Sequence, residues 1–412
     1  MPTEMHVVFI DTTLTTPPTG GAQTFLVILA QQLVEQGWAI TVVTEPGPEQ
    51  AIVDALRKVG AVVLDNLWAA SNLPEECAEH LALWVQTHRP DVYVVSISPD
   101  VGWLALPLLD ENIATMSVAH CDVAAFYDPV AHYHSMIDCA VGVSEEISRR
   151  LESDCSVPPD RVRHIPYGID SLSQDDVLKR FSADNGTLQI GYVGRLAQYQ
   201  KRVMDFIPLV KELDRRGVNF ELHLIGDGED RAELEQALDR DRSNAHVTFW
   251  GWLSPGEVKE RLLKLDVYLL MSAFEGLPVA LLEAMGYGLA PVVSAIASGN
   301  AQVVRDGENG FVAPIGDVTT FAERLERLSD DKQLLRSMKT AAWETSREYS
   351  SARMVSRYVN AFEHITQPQF PRDHRAVTQP YPVMESCKSP YPTWLRKLKR
   401  RFLVTTNTAQ MR

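Results

Sequence analysis

Cysteine is scarce in this chain. Only five occur in 412 residues (Cys77, Cys121, Cys139, Cys155 and Cys387), odd in number, scattered, and without a CxxC pair. That excludes a disulfide framework and predicts reduced thiols in a cytoplasmic setting. No apolar run approaches the ~20 residues needed to span a bilayer. The opening MPTEMHVVFID has no basic stretch followed by a long apolar one, so no signal peptide is expected. Basic residues are in deficit, 39 against 54 acidic, for a formal charge of −15. A general nucleic-acid binder is therefore not expected, because phosphate contacts dominate such affinity. Also missing are GxxxxGK[ST], GxSxG and a full GxGxxG after the first apolar run, which removes the main support for kinase-type, hydrolase and dinucleotide-binding functions.

What is present is length and alternation. A chain of 412 residues exceeds one ordinary core, and 45% hydrophobic with 23% charged residues is a soluble, globular composition. Short β-branched runs at 6–10, 40–44, 61–64, 92–96, 115–119 and 140–143 alternate with helical patterns such as 22–36, closed by Gly37. The segment HIPYGID ends this series. A second series begins at 188–193 and continues at 220–225, 247–250, 267–271 and 291–294. This alternation predicts two doubly wound α/β units in tandem, each a mostly parallel sheet with helices on both faces. The predicted organisation is an N-terminal unit over 1–170, a second over 185–347, a helix over 348–365 crossing back to the first, and a Pro-rich linker with a basic tail over 366–412. Ligands of such sheets bind beyond the carboxyl ends of the strands.

One strand end carries the strongest local pattern, EGLPVALLE from Glu275 to Glu283. Gly276 lets the backbone approach a ligand closely, and Pro278 suits the first turn of a helix. A helix starting there aims free N–H groups and its positive dipole end at the cleft, which suits a diphosphate. Glu283, farther along that helix, can reach neutral hydroxyls such as a ribose diol. Either acid alone would ordinarily be a solvated carboxylate; the whole string argues otherwise. Upstream, GYVGRLAQYQK places Arg195 and Lys201 just beyond another strand end, after Gly194. A guanidinium fork and an ammonium together can neutralise a leaving diphosphate. Trp250 and Trp252, around Gly251, could stack on a nucleobase or simply fill a strand end. The only D-x-D string, Asp239-Arg-Asp241, lies in a charged stretch far from these motifs. His132 and His134 are two apart and do not share a helical face. No metal is expected.

These motifs, with GDGEDRAELE at 226–235 and VVRDGENGFVAP at 303–314, resemble glycosyltransferase family 4 of the GT-B fold. So do TGGA at 19–22 and the segment 139–170, and the resemblance covers about residues 5–364. It implies a retaining glycosyltransferase that moves a hexose-type sugar from a nucleotide-diphosphate sugar to a glycan or glycolipid acceptor, without metal or cofactor. The departing diphosphate would itself take the acceptor proton. It further implies that Arg195 and Lys201 hold the diphosphate, that Glu275 touches the transferred sugar beside the N–H groups of Gly276 and Leu277, and that Glu283 binds the ribose. Gly20 and Gly21 would form a loop over the diphosphate from the N-terminal unit, and His120, in SVAHCD, would lie near the donor sugar. Three departures stand out. Tyr167 occupies a hinge position usually held by Asn, Gln302 replaces a frequent acid and so should alter sugar contacts, and Trp250 and Trp252 stand where smaller or single aromatics are common. The rival expectations are an epimerase or phosphorylase of the same fold and a non-catalytic sugar-nucleotide-binding protein.

Beyond residue 365 the alternation stops. Six prolines lie between 366 and 393, and the last 27 residues hold seven basic side chains and no acid. Within 394–404, Leu395, Leu398 and Phe402 share a helical face among cations. This is the pattern of a short interfacial helix attached to an anionic membrane surface on the cytoplasmic face, and equally that of a solubilising tail or of a basic strip that folds onto the acidic body; the sequence leaves all three open.

Overall fold

Strands that are apolar on both faces need cover on both sides, and runs such as VVFI, VYVVS and PVVS are of that kind. In a computed structural model, which describes residues 4–367 apart from 13, 15–19, 71, 181–185 and 241–245, they form two parallel sheets. The first has seven strands: β1 (His6–Asp11), β2 (Ala39–Val43), β3 (Val62–Leu64), β4 (Val92–Ile97), β5 (Ala114–Ala119), β6 (Cys139–Gly142) and β7 (Val162–His164). Their order is β3-β2-β1-β4-β5-β6-β7. The second has six: β8 (Leu188–Val193), β9 (Phe220–Ile225), β10 (Val247–Gly251), β11 (Val267–Leu270), β12 (Ala290–Ser294) and β13 (Phe311–Ala313), in the order β10-β9-β8-β11-β12-β13. In each sheet the strand order switches sides at the first strand, between β1 and β4 and between β8 and β11. Such a switch point opens a crevice at the carboxyl ends.

Two edge strands, β7 and β13, depart from the expected series. Each is three residues long, as is β3, but β3 lies within the apolar run AVVL, whereas VRH offers one apolar residue and FVA is closed in between Gly310 and Pro314. HIPYGID, expected to close the first series, instead begins with the last residue of β7. The stretch left between the two predicted units carries the helix Gln174–Arg180. Arg180 anchors it by donating to carbonyls of Leu262, Leu263, Leu265, Tyr287 and Gly288. These are the orphan acceptors at the ends of helices Pro255–Leu262 and Val279–Gly286.

The helix Ser351–Ile365 crosses back to the first sheet. Phe362 meets Phe9 and Trp38 at ring-centroid distances of 6.4 and 5.9 Å, and Tyr358 meets Phe25 at 5.4 Å. The two passages between units run side by side, where Ile169 N–H donates to Tyr349 O and Ser351 N–H donates to Ile169 O. A Cβ on Gly168 would lie 2.5 Å from the Ser351 Cα, so only glycine permits this crossing.

Candidate active site

The carboxyl ends of β8 and β11 are neighbours, and the loops leaving them interlock. After β8, the Tyr192 hydroxyl donates to the Arg195 carbonyl at 2.7 Å, which fixes the turn through Gly194. The carbonyl of Gly194 is so close to Gly226 that a Cβ there would sit 2.0 Å away. The short helix Gln198–Lys201 then carries Lys201 across to the loop after β11, where its Nζ lies 2.5 Å from Glu275 Oε1. Glu275 is 5% exposed. It also accepts from Ser272 Oγ at 2.6 Å and Gln200 Nε2 at 3.4 Å. Removing one partner from a buried ion pair strands the other charge, a loss of about 3–5 kcal/mol. Arg195 projects from the same edge into solvent.

From Glu275 the chain runs through Gly276 and the buried Leu277 to the helix Val279–Gly286. Pro278 is the residue that caps this helix, one position ahead of the expected first turn. Among the described residues the N–H groups of Val279 and Ala280 have no main-chain partner, so the helix start faces the cleft as an anion-binding end. Glu283, one turn in, has no side-chain hydrogen bond among the described residues. Burial pushes its carboxyl up to about 7.

The N-terminal unit closes over this edge. His120, following β5, has Nε2 3.0 Å from Ser96 Oγ and Nδ1 2.6 Å from the Tyr167 hydroxyl. Its ring stacks on Tyr167 and packs against Phe25. Burial lowers its pKa to about 3, so the imidazole is neutral throughout the physiological range. With both nitrogens taken, His120 presents its main-chain carbonyl to the cleft. That oxygen would lie 2.0 Å from a Cβ on Gly276, and Cys121 forms a single antiparallel bridge with Gly276. A Cβ on Gly21 would lie 2.6 Å from Val279 Cγ2. Gly20 caps the helix Gly21–Glu35, its N–H donating to Gln23 Oε1 at 2.7 Å. Two further ties cross the seam, Ser144 Oγ to Ser298 Oγ at 2.8 Å and Glu145 N–H to Gln302 Oε1 at 2.9 Å.

The structure thus brings Gly21, His120, Gly194, Lys201, Glu275, Gly276 and Leu277 to one interlocked edge, with Gly20, Arg195 and Glu283 beside it. It gives structural partners to three of the departures noted in the sequence. Gln302, expected to alter sugar contacts, lies at the interdomain seam, its Nε2 facing His164 Nε2 at 3.3 Å and the Tyr349 hydroxyl at 3.4 Å. Trp250 is covered by the Arg261 guanidinium, 3.5 Å from its ring centroid, and donates to His223 Nδ1, which fits the strand-end alternative. Tyr167, flagged as a hinge departure, is the partner of His120. Gln200 lies inside GYVGRLAQYQK and Ser144 inside 139–170 without being singled out there, while Ser96, Ser272 and Ser298 carried no sequence signal, since an isolated serine belongs to no pattern until the fold gives it a neighbour. Asp239 ends up on the helix Arg231–Arg240, while Asp241 lies outside the described residues, as does the whole tail from 368. Among the described residues no group of three His, Cys, Asp or Glu could hold a metal ion, and no helix is long and apolar enough to cross a membrane.

Two parallel α/β units whose strand ends meet across one closed cleft, with a cation–carboxylate pair on one wall, define the GT-B glycosyltransferase scaffold. The family model "Glycosyltransferase Family 4" matches residues 19–171, and "Glycosyl transferases group 1" matches 173–345. The lipopolysaccharide 1,6-galactosyltransferase of Escherichia coli K12 is 35% identical over 257 residues, 60% of this chain and 68% of that one. Its Salmonella typhimurium counterpart is 40% identical over 141 residues, 33% of this chain but only 38% of that one. Among solved structures, the apo lipopolysaccharide outer core galactosyltransferase WaaB superposes with a TM-score of 0.66 at 20% identity, covering 87% of this chain and 99% of that one. Anabaena HepE in complex with UDP and glucose superposes at 0.71 and 17%, covering 87% and 100%. The chain belongs to glycosyltransferase family 4.

Proposed function

We propose that this protein transfers a hexose from a nucleotide-diphosphate sugar to a glycan or glycolipid acceptor, with retention of anomeric configuration and without a metal ion. The observation that carries it is the buried Lys201–Glu275 pair joining two strand ends beside the free start of the helix Val279–Gly286. In this arrangement Arg195, Lys201 and the helix start neutralise the diphosphate, whose charge grows as the glycosidic bond breaks. Lys201, already drawn toward Glu275, aligns the carboxylate with the sugar hydroxyls. Glu283 accepts from the ribose hydroxyls. A neutral His120 cannot serve as a charged acid, and it contributes its carbonyl and a dry wall. The departing diphosphate takes the acceptor proton on the face where the new bond forms. Closure at Gly276 and Gly21 excludes water from that face. The relatives named for lipopolysaccharide galactosyl transfer, and HepE with UDP and glucose, support a UDP-hexose donor and an oligosaccharide acceptor.

The test is incubation with UDP-galactose or UDP-glucose and deacylated lipopolysaccharide core oligosaccharide, with and without EDTA, and NMR of the product. An α-linked product formed equally with EDTA is expected. Loss of turnover with EDTA and recovery with Mg²⁺ or Mn²⁺ would overturn metal independence. Free UDP and an altered free sugar without any acceptor would indicate an epimerase, and binding without turnover a non-catalytic protein.

A further inference from the structure

Tyr199 is the most exposed large apolar or aromatic side chain among the described residues, at 81%. It stands on the helix Gln198–Lys201, two positions before Lys201. Its ring meets that of Phe274, the residue before Glu275, edge to face at a centroid distance of 5.3 Å and an interplanar angle of 69°. Two bonds tie the loops that carry the rings. Ala273 N–H donates to Gln200 O at 2.8 Å, and Gln200 Nε2 donates to Phe274 O at 3.3 Å. The aromatic pair is therefore held in place at the rim, immediately outside the Lys201–Glu275 pair.

A ring left in water forgoes the burial that drives folding. A pyranose offers such a ring a matching surface, since one face of the sugar is lined by C–H groups while its hydroxyls point outward to water. The position of the pair decides which sugar is involved. The cleft is closed at Gly276 against His120 and at Gly21 against Val279, yet Tyr199 remains outside. A donor hexose enclosed in the cleft would leave it bare, whereas an acceptor reaching out of the cleft would cover it.

We propose that Tyr199, backed by Phe274, is a stacking platform for a saccharide unit of the acceptor glycan. The inference rests on the transferase function proposed above, and names the chemistry of its acceptor: an oligosaccharide whose chain continues past the reacting hydroxyl.

The experiment compares the full-length wild type with Tyr199→Ala, Tyr199→Phe and Tyr199→Trp. UDP-galactose or UDP-glucose is the donor, and deacylated core oligosaccharide, maltohexaose and cellohexaose are the acceptors. Donor hydrolysis without acceptor and UDP affinity are measured in parallel. For at least one acceptor, Tyr199→Ala should raise KM about tenfold, the scale of one lost aromatic contact, while hydrolysis and UDP affinity stay at wild-type values. Tyr199→Phe and Tyr199→Trp should keep the wild-type KM, because the ring rather than the hydroxyl does the stacking. Wild-type acceptor KM in Tyr199→Ala overturns the platform. So does an equal loss of hydrolysis and UDP affinity, which would make Tyr199 a donor contact. A wild type that hydrolyses the donor but neither binds nor uses any of the three oligosaccharides also overturns it. A wild type that neither hydrolyses nor transfers from either donor overturns the transferase function itself, and the platform falls with it.

Discussion

Replacing Gly276 with alanine adds one methyl group at the point where the two units touch. That Cβ would meet three main-chain atoms: His120 O at 2.0 Å, His120 C at 2.8 Å and Cys121 Cα at 3.0 Å. A carbon next to a carbonyl oxygen settles at about 3.3 Å, so the loops must separate by roughly 1.3 Å. Main-chain atoms cannot rotate out of the way as a side chain can, so the cleft itself must open. Gly276 has an ordinary φ, so alanine adds no backbone strain within the C-terminal unit. The melting temperature and the affinity for UDP, whose contacts are proposed to lie within that unit, should be nearly unchanged. Turnover should not. A misplacement of about 1 Å between reacting groups costs on the order of 100-fold, equivalent to about 2.7 kcal/mol on the barrier. Gly21→Ala is the internal comparison, because its Cβ meets side-chain rather than main-chain atoms, Val279 Cγ2 at 2.6 Å and Cβ at 3.0 Å, so a turn about χ1 relieves the closer contact and leaves the smaller one. The loss in kcat should be large for Gly276→Ala and smaller for Gly21→Ala, with titration calorimetry of UDP flat across both. Wild-type kcat in Gly276→Ala would refute the reasoning, and so would parallel collapse of UDP affinity and turnover.

Arg195→Ala and Lys201→Ala should each lower kcat by about 10²–10³, the scale of one removed oxyanion donor, with a smaller change in donor affinity. Lys201→Ala should also lower the melting temperature, since it strands the buried Glu275, whereas the exposed Arg195 should not. Wild-type turnover in both would remove them from the site. Glu283, with a folded pKa of about 7 above an unfolded value near 4.5, binds its proton more tightly in the native state. Its burial therefore costs nothing below the lower value, and stability is lost as pH rises through that window. Glu283→Gln should melt like wild type at pH 5 and higher than wild type at pH 8. Because ribose hydroxyls are proposed to donate to the ionised carboxylate, affinity for UDP-galactose should rise from pH 6 to pH 8 in wild type and stay flat in Glu283→Gln; a flat wild-type profile would remove Glu283 from the ribose. For the basic tail, the full chain should co-sediment with anionic vesicles at low salt and a chain ending at Gln367 should not; equal partitioning would leave segment 394–404 without a membrane role.

How far the sequence reached can be seen residue by residue. The β-branched runs are long enough to announce their own period, so the central strands and the tandem of two units could be read from local composition. Strands β7 and β13 could not, although β3, another edge strand of three residues, could: β3 lies within the apolar run AVVL, whereas β7 is VRH, with one apolar residue, and β13 is FVA, closed in between Gly310 and Pro314. Glu275, Arg195 and Lys201 could be picked out as candidates because backbone geometry constrains the residues past a parallel strand: a glycine for close approach, a proline at a helix start, charges beyond the strand end. Glu283 was a candidate through its place on the helix that follows. Their separation of 74 positions concealed that Lys201 and Glu275 are one ion pair. His120 could be picked out by its setting, but not its ionisation, since that depends on Ser96, Tyr167 and Phe25 arriving from three other elements and excluding water. Gln302 and Trp250 went the other way. Gln302 stands where sugar contacts were expected to differ and Trp250 where a stacking face and a strand-end filler were both open, and each is occupied by a partner the chain brings from more than ten residues away, Glu145 and Arg261. The sequence alone determined the fold class and the set of chemically capable side chains, because these depend on local propensity and spacing. Which of them act together, which are neutral, and where two main chains touch closely enough to demand glycine were decided only by the tertiary structure, because desolvation and contact are properties of what surrounds a residue.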